Sequence, residues 1–374
     1  KSNVVADDIR NNPARWQEEF YNNLVTFYSQ SNRIVEDISA AYIQGQARFG
    51  RLGLLTGVRF EDTKDRGRGF VQSIALSTTA QRNADPVAAA NADWNNPTKF
   101  SGGSSGYFPS VHLTYKLRDG LQARASWSNG IGRPPMTVLL PAASVSVNTE
   151  TGQSVLTYNN PSIKPQHAEN WDLGLAYYFE PVGQLSVGYF RKNIRDYIIF
   201  KTGDFIGDGP NNGFDGRYAG YILRTQENLG SAKVEGWEFA HQQYFSFLPG
   251  ILKGLGGYAN YTILKTAGDY GQAAPQTSTT DLAGFIPQTL NAGISFNYRG
   301  FNALVGGNYT GRWLQIYSAN PVLLRYYAKR KVVNVSLSYL LKNGFTLYCD
   351  VKNVFEEPLT KYRGNEQRTE LNII

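Results

Sequence analysis

A two-residue alternation of apolar and polar side chains recurs along this chain in segments of about ten residues, and it dictates extended strands with one greasy face and one wet face. In the first pair of segments, Ala41, Ile43, Ala47 and Phe49 oppose Tyr42, Gln44, Gln46 and Arg48. Past Gly50, Leu52, Leu54, Val58 and Phe60 oppose Arg51, Arg59 and Glu61. In the second pair, Val111, Leu113, Tyr115 and Leu117 oppose His112, Thr114 and Lys116, while Leu121, Ala123, Ala125 and Trp127 oppose Gln122, Arg124 and Ser126. Asp119-Gly120 between them suits a two-residue hairpin turn. Further pairs are 171–179 with 185–190, 237–245 with 255–263, 290–298 with 301–313, and 333–341 with 345–351 around Asn343-Gly344. The pattern predicts about twelve antiparallel strands, with 368–374 as the start of another.

The connections alternate between turns of a few residues and long polar stretches at 62–107, 131–166, 197–231, 266–286 and 314–330. A water-soluble domain rarely carries so many long loops. A transmembrane barrel does, with short turns on the periplasmic side and long loops on the cell exterior. Aromatic residues gather at both strand ends: Phe49, Phe179, Tyr298, Phe301 and Phe345 by the short turns, and Phe60, Trp127, Tyr261 and Trp313 by the long loops. Two such bands are the pattern of interfacial girdles. A soluble aromatic-rich sandwich or propeller would also alternate, but the unequal loops and the missing blade repeat argue against it.

Composition agrees with that reading. Among 374 residues there are 38 Gly, 24 Tyr and 20 Phe but one Met and one Cys, a balance that favours strands and turns over packed helices. A mean hydropathy of −0.37 is compatible with membrane strands, because a lumen-facing polar residue offsets each lipid-facing one. No stretch is apolar enough for a helical span. The lone Cys349 excludes an internal disulfide and a cysteine zinc site. The net charge of +7 comes from scattered cations without a basic run, so nucleic acid is not an expected partner.

Ahead of the strands, residues 13–30 carry Trp16, Phe20, Leu24 and Phe27 at helical spacing after Asn11 or Asn12 as a cap, which predicts a short amphipathic helix packed on the barrel rim. The segment 1–37 is therefore read as an external loop and 38–374 as barrel.

Catalytic and metal chemistry is weakly signalled. Gly102-Gly103-Ser104-Ser105-Gly106 matches G-x-S-x-G, but a nucleophile elbow needs a strand-to-helix turn with a positioned His and acid, so a flexible loop is expected there. His112, His167 and His241 have no paired zinc spacing; His112 is read as a lumen hydrogen-bonding residue and His241 as lipid-facing near an interface. Asp204, Asp208 and Asp215 sit among turn residues that break calcium-loop spacing. No catalytic residue, metal ligand or cofactor is assigned. Arg48, Arg59, Arg124, Asp350 and Lys352 are expected to wet a lumen. Ligand contacts are expected in the outer loops, where aromatic planes and guanidinium forks can grip sugars, catecholates or hydroxamates; the candidates are Trp94, Arg133, Arg312, Trp313 and Tyr317.

Several local phrases carry a family resemblance. Ala-Ala-Tyr-Ile-Gln-Gly-Gln at 40–46 with Leu-Leu-Thr-Gly-Val-Arg-Phe-Glu at 54–61 resembles an "A-Y-x-Q … G-x-R-Y-E" hairpin. Ala-Ser-Trp-Ser-Asn-Gly-Ile-Gly-Arg-Pro-Pro at 125–135 resembles an "S-x-G-x-x-x-P" exit into a loop. Asn160 to Gln166 with Glu169 to Gly174 resembles "N-P-x-L-x-P-E … N-x-E-L-G", with Gln166 in place of the usual Glu. Asn228, Gly230 and Val234 to Glu238 match "N-x-G-x-A-x-x-x-G-x-E", and Val351 to Phe355 matches "V-x-N-L-F-D". In this order the phrases resemble the barrel of TonB-dependent outer-membrane receptors, from about Ile38 to Tyr362.

The resemblance implies a plugged barrel of about 22 strands, of which this chain would supply the second half. The plug, the TonB box and the closing aromatic-ended strand are not in the sequence, and nothing near Lys1 resembles a signal peptide, so a fragment is expected. By resemblance the complete protein would import a scarce nutrient into the periplasm of a bacterium. The expected ligand is a ferric siderophore, with glycan or cobalamin as alternatives; energy would come from a TonB complex acting through the plug. A passive porin and, less well supported, an outer-membrane barrel hydrolase are the competing readings.

Overall fold

The structure, a computed structural model, describes residues 11, 12, 18–73, 76–140, 142–147, 152–180, 182–228, 230–268, 281–317, 321–364, 369 and 370. Twelve strands form one antiparallel sheet: β1 (Arg33–Phe49), β2 (Leu52–Phe70), β3 (Pro97–Arg118), β4 (Leu121–Gly132), β5 (Gln166–Phe179), β6 (Gly183–Arg195), β7 (Ser231–Tyr244), β8 (Leu255–Gly268), β9 (Gln288–Tyr298), β10 (Phe301–Thr310), β11 (Arg330–Leu340) and β12 (Thr346–Val351). Each pairs with its predecessor and successor in the chain, and β1 and β12 do not pair with each other, so the wall is an open arc. Tight turns fall where the backbone reaches positive φ: Gly50 at 57°, Gly120 at 75°, and Arg299-Gly300 at 48° and 84°.

Residues directly opposite in a ladder share one face of the sheet, so the register separates the two faces. One lateral row runs Leu54, Leu113, Ala125, Leu173, Tyr189, Trp237, Ile263 across β2 to β8. The adjoining row on the other face runs Gly53, Thr114, Arg124, Gly174, Gly188, Glu238, Thr262. The apolar face is open: Leu173, Ile294 and Leu347 each expose more than half of their surface. Removing such a side chain from water is worth about 1.5–3 kcal/mol, so a face built this way calls for an apolar neighbour.

Aromatic pairs bound that face. Towards the long loops stand Phe60–Tyr107, Trp127–Trp171 and Tyr189–Trp237, with ring centroids 5.0, 6.1 and 5.1 Å apart. Towards the short turns stand Tyr177–Phe179 at 5.4 Å and Phe296–Phe301 at 6.2 Å. From Trp171 to Phe179, or from Tyr309 to Phe301, the strand runs about 27 Å, which a barrel tilt reduces to about 20 Å of height, close to the apolar band of outer-membrane barrels. Buried apolar side chains lie instead beyond the upper band, in clusters such as Ile194, Ala232, Val234 and Leu282.

Three sequence expectations are corrected here. The first long loop spans 71–96, not 62–107, because β2 and β3 continue as a paired ribbon past the aromatic band. There neither face meets hydrocarbon, the outer one being exposed at Lys64, Arg66 and Arg68 and the inner one buried at Thr63 and Gly69, so the sequence loses the alternation by which strands are recognised. Gly102 to Gly106 is accordingly not a flexible loop: Ser104 sits mid-strand opposite Thr63, and a Cβ on Gly103 would lie 2.4 Å from the Thr63 carbonyl oxygen. The helix before the wall, α1 (Phe20–Gln30), buries a different face from the one expected. Tyr28 is inside while Phe20 and Phe27 are exposed, because the phenol groups of Tyr21 and Tyr28 reach polar partners in the neighbouring loop. Residues 13–17, with Trp16, fall outside the described residues, as do 368 and 371–374 of the suggested last strand, of which a short strand at 369–370 is described.

Candidate functional site

Beyond the upper aromatic band the long connections fold into a layer of their own. Two small sheets form it: Ala143–Val147, Ser154–Tyr158, Ile222–Asn228 and Ile198–Phe205 make one, and Trp313–Ile316, Arg325–Tyr327, Lys361–Arg363 and Thr369–Glu370 the other. In the first, Ile222–Arg224 runs parallel to Val155–Thr157, joining connections that are far apart in the chain.

The second sheet gathers three of the five expected ligand residues. The Arg312 guanidinium lies 4.2 Å from the Tyr326 ring centroid and 5.7 Å from that of Tyr362. Trp313 stacks on Tyr327 at 4.6 Å, and Lys361 covers the same Tyr327 ring at 5.1 Å. Tyr317 is buried with Leu314, Leu324, Tyr326 and Tyr362, which places it beneath the platform. Burial pushes the Tyr326 phenol up from its ordinary range, against the opposing pull of Arg312. Arg312, itself exposed, presents a cation held over two aromatic planes by cation–π attraction. Tyr326, Tyr362 and Lys361 were not singled out in the sequence; their role arises because 361–363 returns to pair with 325–327.

Arg133 stands elsewhere. It leaves the end of β4, donates to Glu61 and to the Thr63 hydroxyl at 3.3 Å, and lies 4.0 Å from Glu36. Beside it a cavity of about 320 Å³ is lined by Glu36, Thr63, Asp65, Ser101 and Lys164. The cation thus ties the β4 exit to the polar face of β1 and β2. Glu36 and Glu61 were not expected here, although their parity, shared with Arg59, places both on the wet face.

Trp94 occupies a third position, the last residue of α3 (Pro86–Trp94) in the loop 71–96. This loop also holds α2 (Thr79–Ala84), whose Thr78 and Gln81 form a reciprocal capping box. Neighbouring Asp93 is fully buried and accepts from the Tyr21 hydroxyl at 2.5 Å, the Ser77 amide at 2.7 Å and the Ser77 hydroxyl at 2.8 Å. Arg82 is 3.5 Å away and stacks 4.5 Å over the Tyr21 ring. Burial opposes ionisation of Asp93, but the donors from Tyr21 and Ser77 and the charge of Arg82 outweigh it, so its carboxyl lies below the usual range. This buried hub docks α1 onto the loop.

Among the described residues no group of three or more His, Cys, Asp or Glu is placed to hold a metal ion. His167 stacks on Phe108 and His241 on Phe179, with His241 opposite Leu185 on the apolar face. Asp215 takes a positive φ of 54° and pairs with Arg217 at 3.2 Å, which is turn chemistry. On the wet face Arg59 pairs with Glu61 at 2.5 Å, Asp350 accepts from Ser336 at 2.5 Å, and Arg48 donates to the Gly50 carbonyl at 3.3 Å. A shallow concavity of about 730 Å³ on the apolar face, lined by Leu113, Tyr115, Leu173, Leu175, Val187 and Trp237, fits hydrocarbon and not a polar solute.

An antiparallel wall with an apolar outer face, paired aromatic bands, short turns at one end and a folded loop layer at the other defines a segment of a transmembrane β-barrel. A family model described as "TonB dependent receptor-like, beta-barrel" matches residues 5–354. The chain belongs to that family. Its fold is similar to the ferric-catecholate import receptor Fiu from E. coli K12 at TM-score 0.61, with 16% identity over 88% of this chain and 42% of that one. It is also similar to the ferric citrate transporter FecA at TM-score 0.60, with 13% identity over 92% and 44%, and to the ferric enterobactin receptor PfeA from Pseudomonas aeruginosa at TM-score 0.54, with 15% identity over 87% and 49%. The chain spans under half the length of these solved structures. No curated protein sequence matches it significantly.

Proposed function

We propose that the complete protein is an outer-membrane receptor that binds a ferric siderophore at its external loops and imports it to the periplasm with TonB-coupled energy. The observation that carries the reading is the loop platform of Arg312 on Tyr326 and Tyr362 beside the Lys361–Tyr327–Trp313 stack. Fixed cations between aromatic planes suit a ligand that is anionic and flat-faced, as iron chelates of catecholates are. Trp313 would offer its stacked plane, Tyr317 would support the platform from below, and Trp94 and Arg133 would contribute from the neighbouring connections. Fiu and PfeA, by their descriptions, handle ferric catecholates and ferric enterobactin, which agrees with this ligand class. The chain's own part would be binding and positioning; the energy-coupled step would belong to a plug outside this sequence.

The test is uptake of radiolabelled iron by iron-starved cells expressing the full-length receptor as their only such transporter. Catecholate, hydroxamate and citrate chelates are compared with cobalamin and oligosaccharide, with TonB present and absent. TonB-dependent uptake of an iron chelate is expected, with Arg312→Ala weakening its binding about tenfold. Uptake proportional to concentration and indifferent to TonB would favour the porin reading, and transport of cobalamin or glycan alone would replace the ligand class.

A further inference from the structure

The face that carries the upper aromatic band continues past it with an unbalanced charge. Register between β1, β2 and β3 is unbroken from the row Ala41, Phe60, Tyr107 to the row Arg33, Arg68, Lys99. Two-residue parity is kept throughout, so these three cations stand side by side on the face of Phe60 and Tyr107. Strand spacing of about 4.8 Å makes such directly opposed like charges repel. The rows between add Lys64, Arg66, Asp37 and Asp62 to the same face. Both carboxylates are engaged, Asp37 by Arg66 at 2.5 Å and Asp62 by Lys64 at 3.8 Å. Arg33, Arg68 and Lys99 are exposed, and among the described residues no carboxylate pairs with them. The matching sector of β7 differs, because there Lys233 is paired with Glu235 at 2.8 Å.

We infer that this sector of the outer face is a binding surface for the sugar-phosphate core of an outer-leaflet glycolipid. Height selects this occupant. The row lies eight residues above Phe60, about 27 Å along the strand and about 20 Å above the hydrocarbon boundary once tilt is counted. The phosphates of ordinary phospholipids lie at that boundary and do not reach the row. A lipopolysaccharide does, because its sugars hold phosphate and carboxylate groups well above the acyl chains. Lys64 and Arg66, at the intermediate heights, are already engaged by Asp62 and Asp37, so the uncompensated charge is concentrated in the upper row. Guanidinium and ammonium groups bind such oxygens by charge-assisted hydrogen bonds, and the bound anions would relieve the repulsion within the row. The inference rests on the membrane placement of the apolar face, not on which nutrient is imported.

The experiment uses the full-length receptor in phosphatidylcholine nanodiscs, titrated with lipopolysaccharide that carries a complete phosphorylated core or with phosphatidylglycerol. Affinity for lipopolysaccharide is expected to fall about tenfold in the triple variant R33Q/R68Q/K99Q and to stay unchanged in K233Q, whose cation is already paired. Phosphatidylglycerol binding is expected to be the same in all three proteins. Lipopolysaccharide affinity within about twofold of wild type in the triple variant, or an equal loss for phosphatidylglycerol, overturns the assignment. A change in self-association measured by light scattering overturns it in favour of a second copy of the chain. If the triple variant does not reach the folded, heat-resistant form, R33Q and K99Q are measured singly; each is expected to lose about threefold, and unchanged affinity in both sinks the proposal. Iron uptake is scored separately, so loss of the import reading and loss of the lipid reading give different results.

Discussion

Replacing Asp93 with Ala should release α1 from the loop 71–96 without disturbing the wall. The carboxylate is fully buried and takes three hydrogen bonds, from Tyr21 and twice from Ser77, with Arg82 at 3.5 Å. A hydrogen bond to a charged acceptor is worth about 1.5–3 kcal/mol, and a donor left buried without a partner costs about 1–3 kcal/mol. The losses do not add, because one helix movement would return several donors to water at once. A cost of about 3 kcal/mol to local docking follows, on the order of a hundredfold in the opening equilibrium. The wall ladders are separate from these contacts, so the effect should be local. Amide hydrogen exchange on the full-length protein in nanodiscs reads it directly: amides of 77–93 should exchange on the order of a hundredfold faster, while those of β5 to β8 stay as in wild type. Asp85→Ala calibrates the measurement, since Asp85 only caps α3 by accepting from the Ala88 amide at 2.9 Å, and loss of such a cap costs about 1 kcal/mol. If exchange in Asp93→Ala rises no more than in Asp85→Ala, the buried-hub argument is wrong.

Two further outcomes can be checked on the same protein. Docking of α1 should be flat across neutral pH and fail at both extremes. The depressed carboxyl of Asp93 contributes stability that is present above the ordinary carboxylate range and lost as pH falls through its lowered value. The Tyr21 phenol is raised to about 12 by burial and by its bond to Asp93, so its contribution is complete below the ordinary phenol range and lost as pH rises through about 12; loop protection that declines between pH 6 and 8 would contradict both signs. In the β3–β4 turn, Gly120→Ala combines a φ of 75° with a Cβ 2.3 Å from the Tyr178 carbonyl oxygen, and should cost about 1–3 kcal/mol in urea unfolding from lipid vesicles. Gly45→Ala, which has open space, should not.

The wall was legible because lipid and lumen impose opposite demands on alternate residues, and every hairpin from Ala41 to Val351 preserves that record. Where the demand ends, so does the signal. The ribbon 62–70 with 97–107 is polar on both faces, and only its pairing reveals it as strand. The loop sheets were illegible for another reason: each is completed by pairing between remote segments, as Val155 with Ile222 and Tyr326 with Tyr362, and no local pattern encodes a partner so remote. The same holds for the ligand candidates. Arg312 and Trp313 could be chosen by residue type, but Tyr362 joined them only through tertiary return of the chain. In α1 the spacing of Phe20, Leu24 and Phe27 pointed to one face, yet Tyr28 is buried and Tyr21 half-buried, because two phenols with partners outweigh two phenyl rings without them.

The strictly sequential order of the wall strands bears on how the molecule reaches its native state. Every wall strand pairs with the next wall strand along the chain, so the wall can be laid down pair by pair without threading. Contacts between segments that are not successive in this order, such as Tyr21 with Asp93 and Val155 with Ile222, lie outside the hydrocarbon zone. Assembly in the bilayer can therefore finish before the exterior loops find one another, and errors in that last stage would leave an intact wall with a misassembled mouth.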